Sequence, residues 1–269
     1  MSRAVVRSGF TLVEVLVVTV IIGILLALVS AAVFPALQSA KEFAITSEAS
    51  QLSMAMESLK AEYGTGNPPA DLSSSDDLYN YVVRTFPRYS PGDLNGDTNI
   101  DGADYQQAIT SISGVSSTFD PGNALVFWLV GFSDNPAAPF DGHADRMNGT
   151  KMTSPFYEFD IDRLGADSTA GTIRYFPKLS VDDYADAPPQ RAFLYFDKKC
   201  YDDDHPYLTF LKPYLKSGST TTYSNPRGFQ IINAGLDGQL GAGGDTYTDA
   251  DADNLTNFSG GTMGDYTDE

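Results

Sequence analysis

The sequence predicts an α+β protein in which a long N-terminal helix, half of it transmembrane, packs on an antiparallel β-sheet with loop insertions. Three observations predict this fold class. A 23-residue apolar run at 12–34 contains one charged residue, Glu14. Beyond Pro35, apolar residues recur at the spacing of one helix face. In the second half of the chain, short aromatic or β-branched runs are bounded by turn residues, which is typical of strands.

The run at 12–34 is long enough to cross a membrane, because a helix of this length spans roughly 34 Å and a hydrocarbon core is about 30 Å thick. A carboxylate in such a run is costly, so Glu14 is by default a functional residue with a cationic partner. If the chain is cut after Gly9, the new α-amino group of Phe10 lies about one helical turn from Glu14. The same group on a neighbouring subunit could neutralise Glu14, since opposite charges about 4 Å apart gain roughly 4 kcal/mol at an effective dielectric of about 20.

Residues 7–16 resemble the class III signal of type IV pilins and type II secretion pseudopilins. The shared features are a short basic leader, Gly9 before the cut, Phe10 after it, Thr-Leu, and Glu14 at the fifth mature position. The resemblance implies that a prepilin peptidase cuts between Gly9 and Phe10 and methylates the new N-terminus, and that Glu14 acts in filament assembly. It also implies other pilin-like subunits, an inner-membrane assembly platform and membrane lipid as partners.

Two other interpretations of the N-terminus stay open. A secretory signal peptide would use Val29-Ser30-Ala31 as its cleavage site, but its apolar region is usually about 7–15 residues long and carries no carboxylate. A plain single-pass anchor is the second. Arg3 and Arg7 precede the span and predict a cytoplasmic N-terminus. We therefore expect a single-pass inner-membrane protein with a periplasmic body, which later enters a periplasmic or surface filament.

The predicted organisation has four parts: a leader at 1–9, a transmembrane helix at 10–34, an amphipathic helix at 35–64, and a body at 65–269. Pro35 predicts a kink or junction, and Gly64 is expected to end the helix before a Gly- and Pro-rich loop at 64–71. The predicted apolar face of the amphipathic helix comprises Leu37, Ala44, Leu52, Met56, Leu59 and Tyr63.

The body contains five short runs that read as strands. One is continuously apolar, and the others are aromatic or β-branched; they lie at 124–130, 172–176, 191–197, 207–211 and 229–233. Trp128 is expected inside the core. An amphipathic helix needs a surface for its apolar face, and an antiparallel sheet provides one. This arrangement agrees with the pilin fold that the resemblance implies.

The segment 93–104 carries oxygen-bearing side chains at the spacing of a calcium loop. Numbered from the first residue of the loop, the side-chain ligands at positions 1, 3, 5, 9 and 12 are Asp93, Asn95, Asp97, Asp101 and Asp104. Position 7, where a backbone carbonyl normally serves, is Asn99. Calcium takes about six to eight oxygens at about 2.3–2.6 Å. The loop resembles that of dockerin repeats and, more distantly, an EF-hand, and Ile100 is expected to pack it on the core. It departs from the pattern at Thr98, where glycine is usual, and has no second copy, so cohesin binding is not expected. The alternative is a metal-free surface loop.

A second acidic segment, at 237–258, combines a glycine turn with alternating aspartates. It resembles the C-terminal calcium loop of the major pseudopilin of type II secretion, and the resemblance implies Asp245, Asp251 and Asp253 as ligands. Calcium is therefore the expected cofactor, and a disordered acidic tail is the alternative.

Composition excludes several other functions. A formal net charge of −18 disfavours nucleic acid as a partner, and a single cysteine, Cys200, allows no internal disulfide and is expected to be buried. No enzyme is expected, since His143 and His205 lack metal-ligand spacing and no nucleophile elbow or phosphate loop occurs. The sequence predicts a structural subunit, a secretion pseudopilin by its C-terminal loop. A major or minor pilus subunit and a membrane-tethered exported enzyme remain the alternatives.

Overall fold

The computed structural model describes residues 11–71, 74–112, 114–115, 120–150, 154–166, 172–178, 187–201, 212–225, 228–241, 243–245 and 247–266. They fall into two compact units, within Met1–Lys41 and Glu42–Glu269. The helices are α1 (Leu12–Tyr63), α2 (Ser75–Thr85), α3 (Gly102–Thr110), α4 (Pro121–Leu129) and α5 (His143–Met147). The strands are β1 (Leu164–Ala166), β2 (Ile173–Tyr175), β3 (Leu194–Phe196), β4 (Gln230–Asn233) and β5 (Leu255–Thr256).

Helix α1 runs through Pro35, so the proline does not end it. The helix ends where the sequence predicts, because Gly64 takes the left-handed conformation with φ of 63°. The Thr65 N–H then donates to the Lys60 carbonyl at 3.2 Å, the bond that closes a Schellman motif. The loop predicted at 64–71 follows, without helix or strand.

The buried face of α1 in the second unit corrects the predicted one in part. Leu52, Met56 and Leu59 are buried as predicted, and Tyr63 is half-buried. Ala44 is exposed, because the stripe continues instead through Ala49 and Ile45, and adjacent helix positions point about 100° apart. Leu37 was also wrongly included, since it lies in the first unit and is 55% exposed.

The strands form two small antiparallel sheets, one of β1 and β2 and one in the order β3-β4-β5. The Phe193 N–H donates to the Tyr175 carbonyl at 2.9 Å and links β2 to the start of β3. The strands predicted at 172–176, 191–197 and 229–233 are confirmed. The one predicted at 207–211 lies outside the described residues.

The apolar run at 124–130 is wrong as a strand: residues 124–129 belong to helix α4, and Val130 is its C-cap. A short run that is apolar throughout has no periodicity, so it fits a fully buried helix as well as a buried strand. The start of the helix is fixed by Asp120, whose Oδ1 accepts the N–H groups of Gly122 and Asn123 at 2.9 and 3.0 Å, and by Pro121 at the first position.

Helix α4 is the central element of the second unit, with every residue buried. It packs closely on β2 and β3. Trp128 is buried as predicted, and its Nε1 donates to the Pro69 carbonyl at 2.9 Å. The long helix and the antiparallel sheets confirm the α+β prediction and are consistent with a pilin-like fold.

Candidate functional site

The N-terminal end of α1 is closed by a reciprocal cap. Glu14 Oε2 accepts the Thr11 N–H at 2.8 Å and the Thr11 hydroxyl at 2.9 Å, while Thr11 Oγ1 accepts the Glu14 N–H at 3.3 Å. Thr-x-x-Glu is the sequence signature of such a capping box. Gly9 and Phe10, the predicted processing residues, lie outside the described residues.

The first unit exposes apolar side chains along nearly the whole run. Among the described residues, α1 is the one helix long and apolar enough to cross a membrane, with a mean hydropathy of 3.0 in its most apolar window and none of that window buried. Large side chains such as Leu12, Ile22 and Phe34 are 81%, 49% and 71% exposed. Such a surface requires lipid or other apolar helices around it.

In the loop at 93–104, the predicted ligand oxygens accept backbone N–H groups. Asp93 Oδ1 and Oδ2 accept from Gly96 and Thr98 at 2.6 and 3.0 Å. Asn95 accepts from the Asp97 N–H at 2.9 Å, and Asp97 from the Asn99 N–H at 2.8 Å. These bonds curl the chain into a tight series of turns.

The end of this loop is tied to helix α3. Asp101 caps α3, and Asp104 Oδ2 accepts the Asp101 N–H at 2.9 Å, completing a capping box. Asp104 Oδ1 also accepts from Leu94 and Asn95, at 2.7 and 3.1 Å. These three hydrogen bonds hold the pKa of Asp104 below its ordinary value, and the bond from the Asp101 N–H has the largest effect.

Thr98 and Ile100 are the two loop residues whose conformation or burial differs from what a calcium loop usually shows. Thr98 has φ of 75°, the left-handed conformation that usually requires glycine at this position, so threonine does not prevent the turn. The packing expected for Ile100 is wrong, because its side chain is 47% exposed. Leu94 is 44% exposed, so the loop presents two apolar side chains to solvent. The Asp104 bonds, rather than apolar burial, hold the loop against α3.

The C-terminal aspartates have separate structural contacts. Asp251 is fully buried; its Oδ1 accepts the Tyr214 hydroxyl at 2.7 Å, and its Oδ2 accepts the Thr248 N–H at 2.8 Å. Asp253 Oδ2 accepts the N–H groups of Leu236 and Asp237 at 2.9 and 3.0 Å. The segment 247–266 is thereby folded onto the body, and its β5 extends the second sheet. In the part of the chain that the structure describes, no three His, Cys, Asp or Glu side chains gather into a metal-binding group, and this holds for the carboxylates of the loop at 93–104 as well as for Asp245, Asp251 and Asp253.

A buried ionic cluster that no sequence pattern indicated fixes the end of α1, residues 42–63, to the rest of the second unit. Glu48 Oε2 accepts from Arg163 Nη2 at 2.5 Å, and Glu48 Oε1 accepts the hydroxyls of Tyr157 and Tyr175 at 3.2 and 2.9 Å. Burial raises the pKa of Tyr157 to about 12 and that of Tyr175 further, so both hydroxyls stay protonated and donate. Arg163 also donates to the Phe176 carbonyl at 2.9 and 2.7 Å. The two charged side chains are 14% and 11% exposed.

Asp197, at the end of β3, is another buried acid. It is 3% exposed and accepts the Cys200 N–H at 3.2 Å, and burial raises its pKa to about 6. Cys200 is buried as predicted, with Sγ 3.6 Å from Asp71 Oδ2. His143 is also buried, which lowers its pKa to about 3 and keeps it neutral, and His205 lies outside the described residues.

Asp197→Asn is expected to stabilise the protein above pH 6. A carboxyl whose pKa is raised by folding binds its proton more tightly in the folded state, so stability falls as pH rises from about 4 to 6 and stays lower above that. Asparagine keeps the oxygen that accepts from Cys200 and has no charge. We expect a gain of about 1–2 kcal/mol at pH 7.5 and none at pH 4. Denaturant unfolding at both pH values measures it, and an equal effect at both would contradict the buried-charge explanation.

Comparison with known proteins bears on the N-terminus. A family described as "Prokaryotic N-terminal methylation motif" matches residues 6–30 of the 269-residue chain. No curated protein and no solved structure gives a significant match. The methylation motif and the apolar helix together support an exported, membrane-anchored subunit of the type IV pilin-like kind, processed by prepilin peptidase and assembled with similar subunits.

Proposed function

We propose that the chain is a pseudopilin of a type II secretion system, held in the inner membrane with its N-terminus cytoplasmic and then assembled into a helical filament. The observation that carries the proposal is the methylation motif at 6–30, which lies over the start of an exposed apolar helix. Subunits that repeat one head-to-tail contact without closing a ring form filaments. The acidic segment after β4 favours secretion over a pilus. The second candidate is a surface pilus subunit, which the large body with its loop at 93–104 favours.

Processing provides the direct test of this proposal. The mature chain is expected to begin at Phe10 and to carry one added methyl group on its amine. Intact mass and N-terminal sequencing of protein extracted from membranes measure both features. A chain that keeps Met1, or one that begins near Ala32, would assign the apolar run to a plain anchor or to a secretory signal. Deleting the cell's prepilin peptidase should leave the leader in place.

We also propose that the body binds calcium. In the first loop, Asp93, Asn95, Asp97, Asp101 and Asp104 would hold the ion, with the Asn99 carbonyl. The left-handed Thr98 supports this, because the turn that a calcium loop needs at its sixth position is already formed. In the C-terminal segment, Asp245, Asp251 and Asp253 remain the proposed ligands. Beside Asp251, the buried Oδ1 of Asn254 has no partner among the described residues, which supports a polar ligand there.

Calcium is expected to raise the melting temperature of the full chain in a neutral detergent. At about 100 times the dissociation constant, one site gains about 2.7 kcal/mol. For a domain of this size, that gain in free energy raises the melting temperature by roughly 5–10 °C. Exported sites of this kind work at about 0.1–1 mM, so the titration should extend to 10 mM, an excess of roughly tenfold or more.

Paired variants separate the two proposed sites. Asp93→Asn with Asp97→Asn keeps one acceptor oxygen in each side chain and removes two charges, so it should abolish only the first site's share of the calcium-dependent shift in melting temperature. Asp251→Asn with Asp253→Asn removes two charges from the second site and likewise keeps one acceptor oxygen in each side chain. Asp134→Ala with Asp145→Ala removes equal charge from exposed positions and should leave the shift intact. A parent protein with the same melting temperature in calcium and in chelator would leave both segments as structural loops.

A further inference from the structure

A cleft of about 390 Å³ opens between the end of α1, one face of α2 and the turn after β3. It is lined by four cationic side chains and two carboxylates: Lys60, Arg84, Lys198, Lys199, Asp77 and Asp197. In the whole chain the balance is reversed, with 17 basic and 35 acidic residues. The cleft is therefore a locally cationic surface on an acidic protein.

Two of the four cations are available to a ligand. Lys199 forms an ion pair with Asp77, and Lys60 forms one with Glu57 at 2.8 Å. Arg84 and Lys198 are exposed, and neither forms an ion pair with a residue that the structure describes. Their positive charges are not neutralised within the described body.

Two hydroxyl groups that line the cleft have unused hydrogen-bonding capacity within the described part of the chain. Tyr81 is 8% exposed, and its hydroxyl lies near those of Thr65 and Thr85, but neither it nor the buried Oγ1 of Thr65 makes a well-formed hydrogen bond among the described residues. Both residues line the cleft. Burial raises the pKa of Tyr81 to about 12, so its hydroxyl keeps a proton to donate. Buried polar groups are nearly always hydrogen-bonded, and two that lack a well-formed bond beside a cleft indicate a site for an acceptor.

We propose that this cleft binds oxyanion groups, carboxylates or phosphates, and that its ligand is a short acidic segment of polypeptide. Arg84 lies in α2 and Lys198 in the turn after β3, so a ligand with more than one carboxylate matches these two cations better than one small anion. Arg84 and Lys198 supply charge, and the Tyr81 hydroxyl donates a hydrogen bond. This inference does not depend on the proposed filament role.

The single tryptophan of the chain reports on the cleft. Trp128 donates to the carbonyl of Pro69, and its ring centroid lies 5.0 Å from that of Tyr81 in an edge-to-face contact. Pro69 and Tyr81 both line the cleft, so a bound ligand is expected to change the tryptophan fluorescence.

The test titrates the full chain in a neutral detergent at low salt with two probes, an acetylated and amidated tri-aspartate peptide and inorganic phosphate. We expect a saturable fluorescence change for both, with tighter binding of the peptide. Arg84→Gln with Lys198→Gln should weaken peptide binding by about tenfold or more, the loss expected for two charge contacts near a protein surface. Arg88→Gln with Lys178→Gln removes the same charge from exposed positions outside the cleft and should change it less than about twofold.

Tyr81→Phe separates binding from folding. Because the hydroxyl makes no well-formed hydrogen bond within the described residues, the variant should keep its melting temperature while binding the peptide several-fold more weakly. No saturable change with either probe overturns the site, and so does an equal loss in the control pair. Tighter binding of phosphate than of peptide overturns the acidic-segment assignment.

Discussion

Replacing Glu48 by alanine is expected to lower the free energy of unfolding by about 3–5 kcal/mol, because it leaves the Arg163 guanidinium buried without its counter-charge. The Tyr157 and Tyr175 hydroxyls lose their acceptor in the same change. Glu48→Gln keeps an acceptor oxygen for the tyrosines but removes the charge. If it lowers the free energy of unfolding about as much as Glu48→Ala does, the effect comes from the unpaired charge of Arg163. Denaturant unfolding of the full chain in a neutral detergent, followed by Trp128 fluorescence, measures it.

Two further variants control this experiment. Glu57→Gln, on the same helix, breaks an exposed pair with Lys60 and should cost less than about 0.5 kcal/mol. Glu48→Gln combined with Arg163→Met removes both charges, and we expect it to be more stable than the sum of the single changes. If Glu48→Ala costs no more than Glu57→Gln, the cluster does not hold α1 to the body.

Glu14→Ala should lower incorporation into sheared filaments by about tenfold or more, since the expected charge contact is worth roughly 4 kcal/mol. The protein itself should remain in the membrane, because removing a charge from a span favours insertion. The structure adds a second role for this residue, as the capping partner of Thr11. Alanine removes both the charge and the cap.

Glu14→Gln separates the two roles. Its amide oxygen can still accept the Thr11 N–H, but the charge is gone, so filament yield should fall as it does for alanine. Thr11→Ala weakens the cap by about 1 kcal/mol and keeps the charge, so its filaments should form. Normal yield from Glu14→Gln would instead assign the residue to helix capping alone.

Local patterns in the sequence predicted local features well. Gly64 ends α1, the strands around Ile173, Leu194 and Gln230 form, and Trp128 is buried. The start of α4 could also have been predicted, because Asp120 is a typical N-cap residue and Pro121 is a typical first-turn residue. They were outweighed by a run of apolar residues that carries no periodicity.

Contacts between distant segments could not be predicted. Glu48 and Arg163 are 115 residues apart, and nothing in their local sequence distinguishes them from other charged residues. Ile100 shows the same limit in reverse, because its place in a motif suggested burial, whereas the bonds of Asp104 hold the loop without it. The cationic cleft likewise depends on side chains from three elements that meet only after folding.

The buried state of Cys200 has a practical consequence for mapping the neighbours of α1. Burial raises the pKa of this thiol, and the thiolate is the reactive form, so the native cysteine is a poor target for labelling or oxidation. A cysteine introduced at an exposed α1 position such as Met54 would then be the reactive one. Disulfide trapping between copies can therefore proceed in the otherwise native protein, without first replacing its own thiol.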